Sequence, residues 1–162
     1  MTGEPLSPGL ATVTRYLDEQ GISYEVVEHL DTYSAADEAR AAGVPPDHAA
    51  KTIALHDHDR LRLAVIPASR RLDLHKAREV LGARSSLRLA SEEEMASEAA
   101  GFEVGALPPL GPLLPAPEIV DLRLLEHEQI LFSGGDHRHS VLIDPNDLVE
   151  IVQPAVADIC VD

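Results

Sequence analysis

Apolar residues Leu10, Val13, Tyr16 and Leu17 keep helical spacing, and punctuation brackets them. Ser7-Pro8 supplies an N-cap and a proline at the first helical position, and Gly21 stops the helix. Ser23–Glu28, rich in Val and Tyr, predicts a strand. Ser34-Ala35-Ala36-Asp37 opens a second helix that reaches Gly43, and Pro45-Pro46 forbids continuation. Ala49–His56 and Leu61–Pro67 flank the polar tip Asp57-His58-Asp59-Arg60 and predict a β-hairpin.

Asp73 caps a helix through Leu81 that Gly82 closes, and Ser86–Ala90 follows as a short strand. Ser91-Glu92-Glu93-Glu94 is a capping box whose helix ends at Gly101. The next stretch, Gly101 to Gly111, disfavours helix and strand alike, and proline-rich sequence continues to Pro117. Glu118–Asp121 and Gln129–Phe132 read as strands. Gly134-Gly135 turns the chain into a returning strand, Ser140–Ile143, and Asp144-Pro145 starts a last helix through Val149. Helices and strands mix without a regular βαβ period. The pattern predicts an α/β or α+β domain with a mixed sheet, no internal repeats, and disorder only in the first and last few residues.

Length and composition narrow this picture. A chain of 162 residues predicts one domain, 1–162, with its core at about 10–152. With no Trp, two Phe and three Tyr, the core must be Leu, Val, Ile and Ala. No apolar run approaches a membrane span, and the first residues lack the features of a signal peptide. Cys160 is the only cysteine, which excludes an internal disulfide and a multi-cysteine zinc site. The expectation is a cytoplasmic protein with no membrane partner.

The net charge of −15 argues against general nucleic-acid binding. From Arg60 to Arg88, however, eight basic residues stand against only Asp73 and Glu79, a local surplus of six positive charges. The island comprises Arg60, Arg62, Arg70, Arg71, Lys76, Arg78, Arg84 and Arg88. It fits either a local phosphate contact or a solvated arginine-rich face.

Four groups of residues could carry chemistry. Lys51 stands alone in the apolar run Ala49–Leu55, either as a snorkelling lysine or as a functional cation. The loop Gly101–Gly111 is long, and such loops expose backbone N–H groups suited to an oxyanion; an ordinary surface connection is the alternative. The pairs His56/His58 and His137/His139 have the spacing of one strand face, yet no third ligand is placed by sequence, so no metal is expected. Ser69, Ser133 and Ser140 lack a Gly-x-Ser-x-Gly elbow and Cys160 lies near the chain end, so a covalent mechanism is not expected.

In order along the chain stand Thr32-Tyr33-Ser34-Ala35-Ala36-Asp37-Glu38-Ala39, Lys51-Thr52-Ile53, Val65-Ile66-Pro67 before Leu72-Asp73-Leu74, Gly105-Ala106-Leu107-Pro108-Pro109, and Ser133-Gly134-Gly135 before Asp147-Leu148. With these pieces the chain, from about Leu10 to Val152, resembles the YbaK/prolyl-tRNA synthetase-associated domain family of free-standing editing domains. The resemblance implies a curved mixed sheet surrounded by helices. It also implies hydrolysis of the ester between a wrong amino acid and the 3′ acceptor end of a tRNA, without a cofactor. An aminoacyl-tRNA synthetase is a possible partner.

Lys51 matches the family's functional lysine. Gly105, Ala106, Leu107, Pro108 and Pro109 match its substrate loop, and His137 the position of a pocket histidine in some members. Tyr33-Ser34 stands where many members have His-Thr, so the amino acid recognised could differ. Arg70, Arg71 and Lys76 are the expected tRNA contacts. Such an enzyme needs no nucleophilic side chain, because the ester is already activated; it places water and stabilises the oxyanion. Two rivals stay open: a non-catalytic tRNA- or ligand-binding regulatory module on the same fold, and a hydrolase of another small ester.

Overall fold

A computed structural model describes residues 6–58, 60–82 and 86–162. Asp59 of the hairpin tip and Arg84 of the basic island lie outside the described residues. The helices form where their caps predict. In α1 (Pro8–Glu19) the Ser7 hydroxyl accepts from the Leu10 N–H, and Leu10, Val13 and Leu17 are buried. In α2 (Ala35–Ala42) Ser34 accepts from the Asp37 N–H, and Gly43 ends the helix at φ 72°. α3 (Leu74–Leu81) runs from Asp73 to Gly82. α4 (Glu92–Glu98) carries the full Ser91/Glu94 capping box but stops at Ala99, short of Gly101. α5 (Pro145–Val152) starts at Asp144 and runs three residues past the expected end.

Two sheets hold the chain together. β1 (Tyr24–Glu28), β6 (Ile130–Ser133) and β7 (His139–Ile143) form an antiparallel sheet in the order β1-β7-β6. β2 (Ala50–Asp57), β3 (Arg60–Pro67), β4 (Leu87–Leu89), β5 (Glu118–Asp121) and β8 (Ala155–Ala157) form the second, ordered β4-β2-β3-β5-β8. β4, β2 and β3 are antiparallel, whereas β5 and β8 join in parallel, so the expected mixed sheet is present. Ala49 bridges to Leu131 in parallel and links the two sheets. Between them lies the main core, with Val13 and Leu17 from α1, Ala50, Val65 and Val120 from one sheet, and Phe132, Val141 and Ile143 from the other. The core is aliphatic except for Phe132, as the composition requires. Among the described residues no helix is long and apolar enough to cross a membrane.

The end of the chain corrects the expectation of disorder. β8 adds to β5, Cys160 bridges to Leu72, and Ile159 and Cys160 are fully buried. The buried Asp121 carboxylate accepts from the Ile159 N–H, the Cys160 thiol and Arg123. Three residues of strand are too short to show an alternating pattern, so only pairing with β5 defines them.

The Gly/Pro segment is anchored at its far end by Glu118, whose Oε1 accepts from the Gly111 N–H at 2.9 Å while Oε2 is buried without a partner among the described residues. A side chain on Gly111 would collide with the Ala116 carbonyl oxygen. Burial pushes the Glu118 carboxyl up to about 8, against the lowering effect of the Gly111 N–H. Unfolded, the same carboxyl ionises near 4.5, so the folded state binds the extra proton between those values. Stability should therefore fall as pH rises from about 4.5 to about 8. Glu118→Gln removes the titration. The difference in melting temperature between pH 5 and pH 9 should shrink in the variant; an unchanged difference would show that Glu118 is ionised in the fold throughout.

Candidate functional site

Residues opposite one another in a ladder share a face. Lys51 pairs with Ile66, Ile53 with Ala64 and Leu55 with Arg62, so these side chains project together, away from the core between the sheets. Ala49 and Leu131 turn the same way and pack on Ala39 of α2. Two residues further along both strands stand Lys51 and Ser133, and residues two apart share a face. The bridge thus aligns the lysine with the end of β6. Lys51 is half-buried, and its ammonium has no hydrogen bond or ion pair among the described residues.

Ser133 ties this face to the Gly/Pro loop by donating its hydroxyl to the Ala106 carbonyl at 3.0 Å. Gly105, just before, is exposed and has φ 87°, a left-handed conformation that favours glycine. A β-carbon there would meet only His137 Cε1, at 3.5 Å. The loop therefore needs Gly105 for its backbone angle rather than to relieve a clash. The Ala106 N–H already donates to the Glu103 carbonyl at 2.9 Å. The N–H groups of Gly105 and Leu107 have no partner among the described residues and are the available oxyanion donors. The Leu107 side chain packs with Leu61 and Leu63, so it faces the core and only its backbone is offered to a ligand. Pro108 is buried beside it.

Above Gly105 lies His137, held on three sides. Its N–H donates to Glu103 Oε1 at 2.9 Å, its carbonyl accepts from the Thr32 N–H at 2.9 Å, and its ring lies 4.8 Å from that of Tyr33. Tyr33 is exposed, and the Ser34 hydroxyl caps α2. The turn beneath is fixed by Asp136, whose carboxylate accepts from Ser7 at 2.5 Å, from the Arg138 N–H at 2.8 Å and faces His139 Nδ1 at 3.0 Å. Burial opposes ionisation of Asp136, but these hydrogen bonds outweigh it and lower its pKa. Tyr33, Gly105, Ala106 and His137 thus converge, with Lys51 on the adjoining strand. Thr32, Glu103 and Ser133 belong to the same constellation and were not foreseen as site residues; each acts by hydrogen bonds to a distant part of the chain, Thr32 and Glu103 to the 135–137 segment and Ser133 to Ala106.

The two histidine pairs do not form metal pairs. His56 is buried in β2, whereas His58 is exposed in the turn at φ 58°. His139 engages Asp136 while His137 lies over the loop. His56 instead meets α4, with Nε2 3.1 Å from Glu98 and 3.5 Å from Glu94. Arg88 occupies both oxygens of Glu94 at 2.7 and 2.8 Å, and His56 Nδ1 has no partner among the described residues. A metal-bound histidine donates its second N–H to a partner. The group therefore reads as a clamp between β2 and α4. The Cys160 thiol is buried and donates to Asp121, and its pKa is pushed up to about 12, chiefly by burial, so it is no nucleophile at neutral pH.

The basic island divides into paired and unpaired residues. Arg62 pairs with Asp57, Arg78 donates to the Leu87 carbonyl, and Arg88 pairs with Glu94. Lys76 reaches Asp158, Asp162 and the Cys160 carbonyl, so its ammonium is already neutralised. Arg70 and Arg71 are exposed, with no ion pair among the described residues. They follow Pro67, which pairs with Ala50, so they stand at the Lys51 end of the hairpin. A cleft of about 200 Å³ lies beside them, lined by Asp47, Pro67, Arg70, Arg123, Glu126 and His127.

Comparison with known proteins supports the fold and gives the family. A solved structure of a candidate trans-editing enzyme for prolyl tRNA synthetase is 29% identical, with a TM-score of 0.86 over 98% of this chain and 100% of that one. The hypothetical protein APE2540 is 26% identical, with a TM-score of 0.82 over 92% and 99% of the two chains. A candidate signal transduction protein from Marinobacter aquaeolei VT8 shares the fold alone, at 21% identity and a TM-score of 0.70 over 93% of this chain and 31% of that one. The profile of the aminoacyl-tRNA editing domain matches residues 29–151, which include the loop, Lys51 and His137, and the chain belongs to that family.

Proposed function

We propose that this protein hydrolyses mischarged aminoacyl-tRNA in trans, cleaving the ester between the amino acid and the 3′ end of the tRNA. The observation that carries this reading is the convergence of an unpaired lysine, a left-handed glycine loop with free N–H groups, and a fixed histidine, in a chain of the editing family. Water is the nucleophile: the ester is already activated, and Ser133, Ser140 and Cys160 are buried. The N–H groups of Gly105 and Leu107 stabilise the oxyanion. Lys51 holds the terminal phosphate or polarises the carbonyl. His137 and Tyr33 wall the amino-acid pocket, which admits small side chains as a second sieve. Arg70 and Arg71 supply the phosphate contacts. The proposed setting is the cytoplasm, where tRNA is charged. An aminoacyl-tRNA synthetase is the proposed partner; for the 29%-identical neighbour that synthetase is the prolyl enzyme.

Lys51→Ala should keep the fold by circular dichroism and lose about a hundredfold in deacylation of Ala-, Ser- or Cys-charged tRNA, the scale of one electrostatic contact to a transition state. Full turnover in the folded variant would remove Lys51 from the mechanism. If the wild type binds charged tRNA but hydrolyses none of these esters, the binding-module reading wins. Gly105→Val should abolish hydrolysis even of the smallest substrate, because a β-branched residue is strained at φ 87° and the loop must shift. Normal rates would place the substrate elsewhere. Substituting Leu107 should act mainly on stability, since its side chain is in the core.

Charge reversal at Arg70 or Arg71 should weaken tRNA binding and flatten its salt dependence. Reversal at the exposed Arg15, on helix α1 and outside the island, should do neither. Equal effects at all three, measured by filter binding at two salt concentrations, would reduce the island to a solvated face.

A further inference from the structure

We propose that β1 binds an extended basic segment of a partner protein, which adds to the sheet as a further strand and fills the groove between β1 and α1. The proposal is independent of the deacylase reading. The order β1-β7-β6 leaves one side of β1 unpaired. Along an antiparallel ladder, residues that bond to the neighbouring strand alternate with residues whose backbone groups point away. The His29 N–H donates to the Arg138 carbonyl, which extends the β1–β7 register by one residue. The alternation then assigns Glu25 and Val27 to β7. The backbone N–H and carbonyl groups of Tyr24, Val26 and Glu28 point away from the sheet, and no other hydrogen bond reaches them among the described residues. The far side of β7 agrees. The Gly134 N–H donates to the His139 carbonyl, so His139, Val141 and Ile143 face β6. Ser140 and Leu142, the partners of Val27 and Glu25, remain for β1.

The other outer strands are covered or short. In β4 the Ala90 N–H donates to the Ala54 carbonyl, so the same alternation turns Leu87 and Leu89 outward. Arg78 and Arg88 donate to those two carbonyls. The outer side of β6 carries the bridge to Ala49. β8 has three residues, whereas β1 has five. An open edge of that length is a template for another strand.

Beside this edge lies a groove of about 450 Å³ between α1 and β1. The side chains of Tyr24 and Val26 face α1, because their ladder partners Ile143 and Val141 lie in the core with Val13 and Leu17. Glu28 shares their face. The three residues with open backbone groups are thus the ones that line the groove from β1. Leu6, Leu10 and Asp18 line it from the helix side at multiples of four residues. Leu6 and Val26 leave 52% and 38% of their surface exposed. Acids mark both ends: Asp18 accepts from the Tyr24 hydroxyl at 2.9 Å, and Glu28 closes the strand. No lysine or arginine lines the groove.

That lining selects the occupant. A strand added to β1 directs alternate side chains into the groove. Cations at its two ends meet Asp18 and Glu28, and an apolar side chain between them meets Leu10 and Val26. The matching segment reads basic, any, apolar, any, basic. A second copy of this chain fits poorly, because pairing β1 with β1 brings Glu25, Glu28 and Asp18 of each copy to one seam on a protein of net charge −15.

The probe is the acetylated and amidated peptide Thr-Lys-Thr-Val-Thr-Lys-Thr, with glutamates in place of the lysines as control. Titration followed by NMR should give saturable shifts along β1 and the groove side of α1. The amides of Tyr24, Val26 and Glu28 should gain hydrogen-exchange protection, while those of Glu25 and Val27, already bonded to β7, should not change. The acidic control should bind about tenfold more weakly, since two exposed ion pairs become two like-charge contacts. Val26→Pro removes an outward N–H and leaves the ladder to β7 complete, so the fold should stand and peptide binding should be lost. Glu28→Lys, at an exposed position, should bring the two peptides to near-equal affinity. Absence of binding, equal binding of both peptides by the wild type, or undiminished binding by a folded Val26→Pro would overturn the proposal. Concentration-dependent dimerisation in sedimentation, abolished by Val26→Pro, would give the edge to a second copy and overturn it as well.

Discussion

One parallel bridge, Ala49 to Leu131, governs the geometry on which the site depends. It brings the start of β2 against β6 and turns both strands toward α2 on the same face. From that alignment follow the placement of Lys51 beside the end of β6 and the hold of Ser133 on the loop at Ala106. The bridge is supported from behind by a shared aliphatic core, where Ala50 and Ile130, the inward-facing neighbours of the bridging pair, are both buried. A shift of one residue in either strand would exchange these faces, sending Lys51 into the core and Ala50 into the cleft. Burial of an unpaired ammonium makes that register costly.

The site is built mostly of backbone. Gly105 contributes a conformation, Leu107 an N–H group, Thr32 and Glu103 hold His137 by its peptide groups. Such a construction suits a reaction on an activated ester, where positioning and oxyanion stabilisation matter more than a strong nucleophile. It also makes the loop sensitive to its anchors. Glu118 at one end and the Asp136 turn at the other fix its position, and both are buried carboxyl groups. Their environments differ. Glu118 has one hydrogen bond and is kept neutral by burial, whereas Asp136 has several and stays ionised.

Charge is distributed by the same logic. Three residues of the basic island, Arg62, Lys76 and Arg88, are ion-paired internally with Asp57, Asp158, Asp162 and Glu94, and these pairs stitch the hairpin, α3, α4 and the chain end together. Arg60, Arg70 and Arg71 have no ion pair among the described residues, and of these Arg70 and Arg71 sit at the end of the hairpin where Lys51 lies. On an otherwise acidic protein, these two arginines form a local positive patch at that end of the hairpin.

The helices, their caps and the central hairpin were legible because each is a local event. Ser7-Pro8, Ser34, Asp73, Ser91 and Asp144 satisfy N–H groups two or three residues away, and Gly43 and Gly82 end helices through their own backbone angles. Lys51 and the Gly/Pro loop were legible as anomalies, a charge in an apolar strand and a stretch no regular element accommodates. A third anomaly was available and carried meaning only in three dimensions: Glu38 occupies the apolar stripe of its helix, among alanines, and its reason is a serine 102 residues away. The short strand Ala155–Ala157, the neutralisation of Lys76 and the inward turn of Leu107 all depend on partners distant in sequence. Sequence alone determines which segments can form elements, since propensity and capping act over a few residues. Only the tertiary structure decided which faces meet, because register and burial arise from contacts whose partners no local pattern specifies.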